Sequence, residues 1–394
     1  MSEVFIVDGV RTPFGKAGGS LASVRADDLA AMVIRELVER NSRIDPELIE
    51  DVYWGATNQS GDDSRNVARI AAVLAGLPLD VAGATVNRLC GSGIESAMVG
   101  ARAIKSGDLD LIIAGGGESM SRAPFVLPRA ETGYQRSQPI WDSRLGWRSV
   151  NPSWEEHWGA RTLIECAELT AEKYGISREA QDEVAVRSHR GAAAAWGEGF
   201  FAGEVMRVAK GGRTLLDTDE SVRPTATKET VGALVPLVSK TGTVTAANAS
   251  PISDGAGGMI LASEKMVGKL GLTPKARIVG GVAVGVHPDG LDGPIPATEK
   301  LAERIGWKVE SFDAVEMTEA YASQVVACIQ ELGFDPSIVN PWGGAIAMGH
   351  PLGATGARLI TTLVSRLHRD GGTRGLATMC IGVGQGISIA VEKV

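Results

Sequence analysis

Cysteine is sparse in this chain. Cys90, Cys166, Cys328 and Cys380 are the four among 394 residues, and no two stand at C-x-x-C spacing. That excludes a disulfide-stapled scaffold and gives no metal-ligand pattern, so no metal site is expected and the four thiols should be free, each buried or catalytic. Basic residues are also in deficit, 39 Lys and Arg against 47 Asp and Glu, for a net charge of −8. They form no cluster, which argues against nucleic acid or an anionic membrane as the main partner. Long apolar runs are missing as well, each being broken by glycine or charge short of a membrane span. Met1-Ser2-Glu3 before Val4 to Val10 reads as a first strand and not as a leader, and Val391-Glu-Lys-Val resembles no targeting tail. A cytoplasmic protein is expected.

Glycine, by contrast, is abundant at 50 residues, with an ordinary hydrophobic content of 44%. This fits a well-packed chain with many tight turns, and the length calls for two domains or two related halves. The stretch around which it is organised is Asn87-Arg88-Leu89-Cys90-Gly91-Ser92-Gly93. There the apolar run Val81 to Val86 breaks on a cysteine, and the chain resumes as a helical stretch, Ile94 to Lys105. A helix N-terminus presents unpaired N–H groups whose partial positive charge favours a thiolate, so Cys90 is the candidate nucleophile.

Along the chain, strands at Val4–Val10, Val52–Thr57 and Leu109–Ala114 alternate with helical segments. One such helix is capped by Asp27 or Asp28; a short one begins at Asp45-Pro46, and another runs over Ser64 to Ala75. This alternation predicts a parallel α/β sheet. The helix after Cys90 carries Ala97, Gly100, Ala101 and Ala103, small on several sides, and is expected in the middle of a layered sandwich. From Ser121 to about Val244 the pattern changes to prolines, five of the eight tryptophans and helices without regular strands, one of them capped by Ser177. It reads as an inserted subdomain covering a site. Regular pattern returns with strands Ala276–Val284 and Ala314–Met317, a helix opened by Thr318-Glu-Ala-Tyr-Ala322, the turn Asn340 to Gly356, and strand Gly375–Met379 ending in Cys380-Ile-Gly382. Asn340 precedes the same succession as Asn87: a reactive-looking turn, a helix, a break and an apolar strand into glycines. A duplicated fold would bring Cys90 and His350 to one pseudo-twofold centre.

A free cysteine is only a few per cent thiolate at neutral pH and needs a base or a positive environment. His350 could be that base. Cys380 could give and take a second proton, since a cysteine thioester exchanges with another thiol at nearly level energy and a thiol can protonate a carbanion beside a thioester. Backbone N–H groups at Cys90 and Gly382 could stabilise a thioester oxygen as charge develops on it.

Asn87 to Gly93, Gly344-Ala-Ile-Ala-Met-Gly-His-Pro-Leu-Gly-Ala-Thr-Gly356 and Cys380 to Gly386 resemble the three signature blocks of the thiolases. Arg11-Thr-Pro-Phe-Gly, Glu118-Ser-Met-Ser-Arg-Ala-Pro124, Gly242 to Asn248 and Asn248-Ala-Ser-Pro-Ile-Ser-Asp254-Gly255 match as well. The resemblance implies a five-layer αβαβα sandwich of two similar halves with an inserted loop domain that binds coenzyme A, assembled as a homodimer or homotetramer. The halves would be residues 1–120 with 245–274, and 275–394, with 121–244 inserted. It implies coenzyme A and acyl-CoA as substrates with no bound cofactor, Cys90 as acylated nucleophile, His350 as its activator, Cys380 as general acid and base, and Arg223 and Ser250 as coenzyme A contacts. Val24-Arg-Ala-Asp-Asp28, Asn66-Val-Ala-Arg69, Leu145 to Pro152 and Val383 are most similar to the 3-oxoadipyl-CoA and related degradative thiolases.

The chain also departs from the family pattern. Thr318-Glu-Ala-Tyr321 stands where Asn-Glu-Ala-Phe is usual, and that asparagine normally holds a water in an oxyanion hole with the histidine. Trp342 replaces an asparagine, Leu163-Ile164 replace Met-Gly or Met-Pro, and Val286 to Pro294 is about one residue short and lacks a methionine. Two alternatives therefore stand beside a thiolase: a thiolase-like protein that binds acyl-CoA without turnover, and a ketoacyl synthase, which pairs its cysteine with two histidines. A dehydrogenase is disfavoured because the glycine runs at Gly115 and Gly382 follow strands without G-x-G-x-x-G opening a helix.

Overall fold

In the computed structural model residues 2–144 and 146–394 are described. Met1, and Leu145 at the head of the Leu145–Pro152 stretch, lie outside the described residues. The chain opens with β1 (Val4–Arg11), α1 (Ala26–Arg40), β2 (Asp51–Gly55), α2 (Val67–Ala75), β3 (Ala82–Val86), α3 (Ser92–Ser106) and β4 (Leu111–Ser119). A long excursion follows, with α4 (Pro152–Trp158), α5 (Leu163–Lys173), α6 (Arg178–Gly197) and α7 (Lys228–Gly232), before β5 (Ser253–Ser263) and α8 (Glu264–Leu270). The remainder holds β6 (Ala276–Gly285), α9 (Pro294–Ile305), β7 (Ala314–Met317), α10 (Ala322–Leu332), α11 (Ala345–Met348), α12 (Leu352–Asp370), β8 (Arg374–Ile381) and β9 (Gln385–Lys393).

The two halves repeat one strand order. In the first, the sheet runs β3-β2-β4-β5-β1; in the second, β7-β8-β9-β6, with Val339 bridging Val315 in parallel outside β7, where β3 lies in the first half. The edge strands β1 and β6 pair antiparallel through Phe5 with Arg277 and Ile6 with Ala276, so the two sheets form one continuous ladder. Only β2 with β3, β2 with β4, and β7 with β8 are parallel. The fully parallel sheet expected from the alternation is thus a mixed one. The physical reason is clearest at β8 and β9: three residues join them, and a connection that short can only reverse the chain.

Side-chain alternation sorts these strands into layers. On β5, Ala256, Ile260 and Ala262 face a core built with α1 and α2, whereas Met259 and Leu261 face the middle core with α3 and α12. On β9, Ile387, Ile389 and Val391 face that same middle core and Ala390 faces α9 and α10. The result is the α/β thiolase-type sandwich, helix, sheet, helix, sheet, helix. α3 and α12 cross where they have no side chains: a Cβ on Gly93 would lie 2.7 Å from the Ala357 amide nitrogen. Within α12 the buried Arg358 and Arg366 both pair with Glu316, at 2.7 and 2.9 Å.

Several local expectations are corrected. α1 starts on Arg25 with no side-chain cap, and Asp27 pairs with Arg25 at 2.8 Å where Asp27 or Asp28 was expected to cap. The helix expected from Ser64 begins at Val67, because Ser64 and Arg65 take left-handed φ of 49° and 70°. α10 begins at Ala322, with Thr318 to Tyr321 leading up to it. The excursion contains two small hairpins, Phe125–Val126 with Trp141–Asp142 and Val208–Lys210 with Arg213–Leu216, so it is not free of strands. Ser177 does cap α6, its hydroxyl accepting from the Ala180 N–H. No helix among the described residues is long and apolar enough to cross a membrane.

Candidate active site

Between β3 and α3 the chain makes a tight turn. Asn87 Oδ1 accepts from the Leu89 N–H at 2.9 Å, Leu89 has φ of 46°, and the Gly91 N–H reaches the Arg88 carbonyl at 3.0 Å. Cys90 sits immediately before Gly91, the N-cap of α3. Gly91 in turn rests on β8, a Cβ there falling 2.6 Å from the Ile381 side chain, so the turn after β3 and the turn after β8 touch. The Gly382 N–H favours the ionised form of the Cys90 sulfur. Burial nevertheless outweighs this donor and the helix N-terminus, pushing the Cys90 thiol up to about 11. The thiolate expected from the helix start is therefore not the resting form, and Cys90 needs a base.

His350 lies between α11 and α12, held by its N–H against the Pro251 carbonyl (3.2 Å) and Ser253 Oγ (3.3 Å). Its Nδ1 is 2.7 Å from Thr355 Oγ1, and the Thr355 hydroxyl donates to the Pro351 carbonyl at 2.9 Å. Because the single hydroxyl proton is used on Pro351, Nδ1 must carry the proton shared with Thr355, which leaves a lone pair on Nε2. Nε2 is buried and has no partner among the described residues. Burial, with the Arg358 charge behind it, lowers this imidazole to about 4, so it is neutral and able to accept a proton at ordinary pH.

Cys380 is the penultimate residue of β8, its sulfur 3.7 Å from Gln324 Oε1. Burial first, then the neighbouring Cys90 and Cys328 sulfurs, hold its thiol well above the usual range. Tyr321 packs against the same cluster as Cys166 and Cys380, and burial first, then Cys380, Cys90 and Cys166, raise its phenol. Around them pack Ala167, Val244, Leu291 and Ala320, with Leu163 and Ile164 at the margin. Trp147 covers Gly382 closely enough that a Cβ would stand 3.0 Å from its ring.

Thr318 is fully buried, its N–H donating to the Thr378 carbonyl at 3.0 Å, and its Oγ1 has no partner among the described residues. Ser250 joins the same region through its N–H to the Ala320 carbonyl (3.0 Å), beside the bridge between Ala249 and Tyr321. Arg223 does not join it: its side chain is exposed, its N–H donates to His189 Nδ1 at 3.2 Å, and no hydrogen bond among the described residues links it to the cysteine pocket.

Residues with no role assigned in the sequence complete the arrangement. Glu118, at the end of β4, accepts from the Thr57 N–H (3.0 Å), the Asn58 N–H (3.1 Å) and the Gly353 N–H at the start of α12 (3.1 Å). Burial lifts its carboxyl to about 6 against those donors. The signal for it was an acid closing an otherwise apolar strand. Thr355 could have been found as the hydroxyl in the first turn of the helix that His350 precedes.

Residues 4–265 match the family description "Thiolase, N-terminal domain" and residues 272–393 "Thiolase, C-terminal domain". The chain belongs to the thiolase family. It is 49% identical over 400 residues to the beta-ketoadipyl-CoA thiolase of Pseudomonas putida, covering 100% of both chains. It is 50% identical over 402 residues to the 3-oxoadipyl-CoA/3-oxo-5,6-dehydrosuberyl-CoA thiolase of Escherichia coli strain K12, again covering 100% of each. Among solved structures it resembles human mitochondrial 3-ketoacyl-CoA thiolase in complex with CoA, with a TM-score of 0.93, 37% identity, and coverage of 100% of this chain and 98% of that one. The thiolase is accordingly an acyltransferase that cleaves a 3-oxoacyl-CoA with coenzyme A, the reading favoured over an inert binder or a ketoacyl synthase.

Proposed function

We propose that Cys90, His350 and Cys380 carry the thiolase reaction, on one observation above all: the turn that holds Cys90 packs on the end of β8 that holds Cys380, and His350 has a buried Nε2 with no partner among the described residues. His350 Nε2 takes the Cys90 proton. The thiolate adds to the 3-oxo carbon, and the alkoxide formed is stabilised by the Cys90 and Gly382 N–H groups. As the C2–C3 bond breaks, its electron pair becomes the enolate of acetyl-CoA, and the Cys380 thiol gives its proton to C2. The acyl group is left on Cys90. A second coenzyme A then gives its thiol proton to Cys380, attacks the acyl-enzyme, and releases Cys90. The protonated Nε2–H faces the enolate oxygen, together with the hydroxyl of Thr318.

The acyl chain we assign is that of 3-oxoadipyl-CoA or a close relative, supported by identities of 49 and 50% over whole chains to thiolases named for it. Coenzyme A is held by residues 121–244, with Ser250 and Arg223 as contacts, between halves formed by 1–120 with 245–274 and by 275–394. No bound cofactor is required, and the protein works in the cytoplasm as a homodimer or homotetramer. Steady-state rates with acetoacetyl-CoA, 3-oxoadipyl-CoA and a long-chain 3-oxoacyl-CoA test the acyl assignment. The dicarboxylic substrate should have the highest kcat/KM, and preference for either of the others would reject it.

A further inference from the structure

We propose that Tyr321 is a further catalytic residue, its hydroxyl donating a hydrogen bond to the thioester oxygen that bears the negative charge of the acetyl-CoA enolate. The proposal rests on the thiolase reading of the pocket and adds a group to it. The backbone fixes where this side chain goes. Tyr321 is the N-cap of α10 with φ of −143°, Ala249 bridges it on one side, and the next N–H, of Ala322, donates to the Asn248 carbonyl at 2.9 Å. From that position the ring packs among Cys380, Cys166, Ala167 and Leu291.

The oxygen it carries there is unusual. The hydroxyl makes no hydrogen bond to another described residue, although the side chain is half-buried among apolar groups and sulfur. Of the groups that perturb it, Cys380 is the first and Cys90 the second after burial itself. Burial keeps the phenol protonated well above neutral pH, so it acts as a neutral donor and not as a base. With no partner among the described residues, the hydroxyl is free to donate to an acceptor bound in the pocket.

The chemistry supplies that acceptor. When C2–C3 breaks, the electron pair passes through C2 and C1 onto the thioester oxygen, and it returns to C2 as Cys380 delivers its proton. Tyr321 keeps its proton throughout and only shares it with that oxygen. His350 Nε2 and Thr318 Oγ1, the other donors assigned to this oxygen, are buried and have no partner among the described residues. A threonine hydroxyl sits one bond from Cβ and reaches less far than the asparagine amide usual at 318. Tyrosine where phenylalanine is usual, three residues on, adds the missing donor from the side of Cys380.

Tyr321→Phe removes the hydroxyl and keeps the ring. Two readouts are taken on the full chain: exchange of the acetyl-CoA methyl protons in deuterated water, which requires the enolate, and acetylation of Cys90 by acetyl-CoA, which passes through the separate Cys90 and Gly382 donors. Exchange and the kcat of thiolysis should fall together by about a hundredfold, the usual effect of losing one oxyanion donor. Acetylation and KM should stay within about twofold. Unchanged exchange in the variant, or acetylation falling in parallel with it, overturns the proposal while leaving the thiolase reading intact. Failure of the unaltered chain to acetylate Cys90 would overturn that reading and the proposal with it.

Discussion

Thr355 holds the imidazole of His350 at Nδ1 across 2.7 Å and spends its own proton on the Pro351 carbonyl 2.9 Å away. That pair of bonds decides which ring nitrogen can accept a proton, and it is made within the first turn of α12. Thr355→Val removes the acceptor for Nδ1–H and releases the tautomer. Acetylation of Cys90, followed by rapid quench, should slow about tenfold, short of the roughly 10²- to 10⁴-fold that losing the general base itself would cost. Thr355→Ser, which keeps the hydroxyl, should remain close to the unaltered rate.

Cys380 serves both halves of the chemistry, but unequally. In Cys380→Ala the nucleophile, its base and the N–H donors at Cys90 and Gly382 are all intact, so Cys90 should still be acetylated by acetyl-CoA, more slowly because Cys380 no longer gives a proton to the departing coenzyme A thiolate. Thiolysis should fall by about 10²- to 10⁴-fold for want of the acid that protonates the enolate. Methyl-proton exchange should disappear with it.

Glu118 ties the turn after β2 to the start of α12, and through it one half of the molecule to the other. Glu118→Gln replaces one accepting oxygen by a donor that faces N–H groups already pointing inwards. A loss of about 2–3 kcal/mol of stability is expected from the unsatisfied buried groups, read as a lower midpoint in denaturant at pH 7.

His350 is buried and neutral, with a folded-state value of about 4 against an ordinary 6.5. The unfolded chain therefore binds a proton that the folded chain refuses. This contribution to stability is fully present above pH 6.5 and is lost as pH falls towards 4, by about 3 kcal/mol in all. Glu118 runs the other way: its value is raised from 4.5 to about 6, so its contribution is present below 4.5 and is lost as pH rises through 6. In His350→Gln, denaturant midpoints measured from pH 7 down to pH 4.5 should decline less steeply than in the unaltered chain. Parallel declines would show that His350 is not the titrating group.

Much of this architecture was legible in the residue order. Asn87 and Asn340 lead into corresponding turns because each half repeats the same strand order, and glycines at 76, 107, 333 and 371 close helices where the backbone turns left-handed. What escaped was set by packing across the chain. The antiparallel pairing of the edge strands through Phe5 and Ile6 depends on how two complete halves dock, and no local pattern encodes it. The left-handed Ser64 and Arg65 delay a helix whose composition looks continuous. The protonated state of Cys90 follows from burial by residues some 290 positions later, which reverses what a helix N-terminus alone would do. The Gly353 partner of Glu118 likewise appears only once α12 lies against β4.

The direct test is mass spectrometry of the whole chain after mixing with acetyl-CoA, followed by mapping of the modified peptide. One acetyl group on Cys90, absent in Cys90→Ala and slowed in His350→Ala, is the expected result. Acetyl transfer to Cys380 or Cys166 in the unaltered chain, or undiminished labelling in Cys90→Ala, would contradict the assignment of Cys90 as the nucleophile.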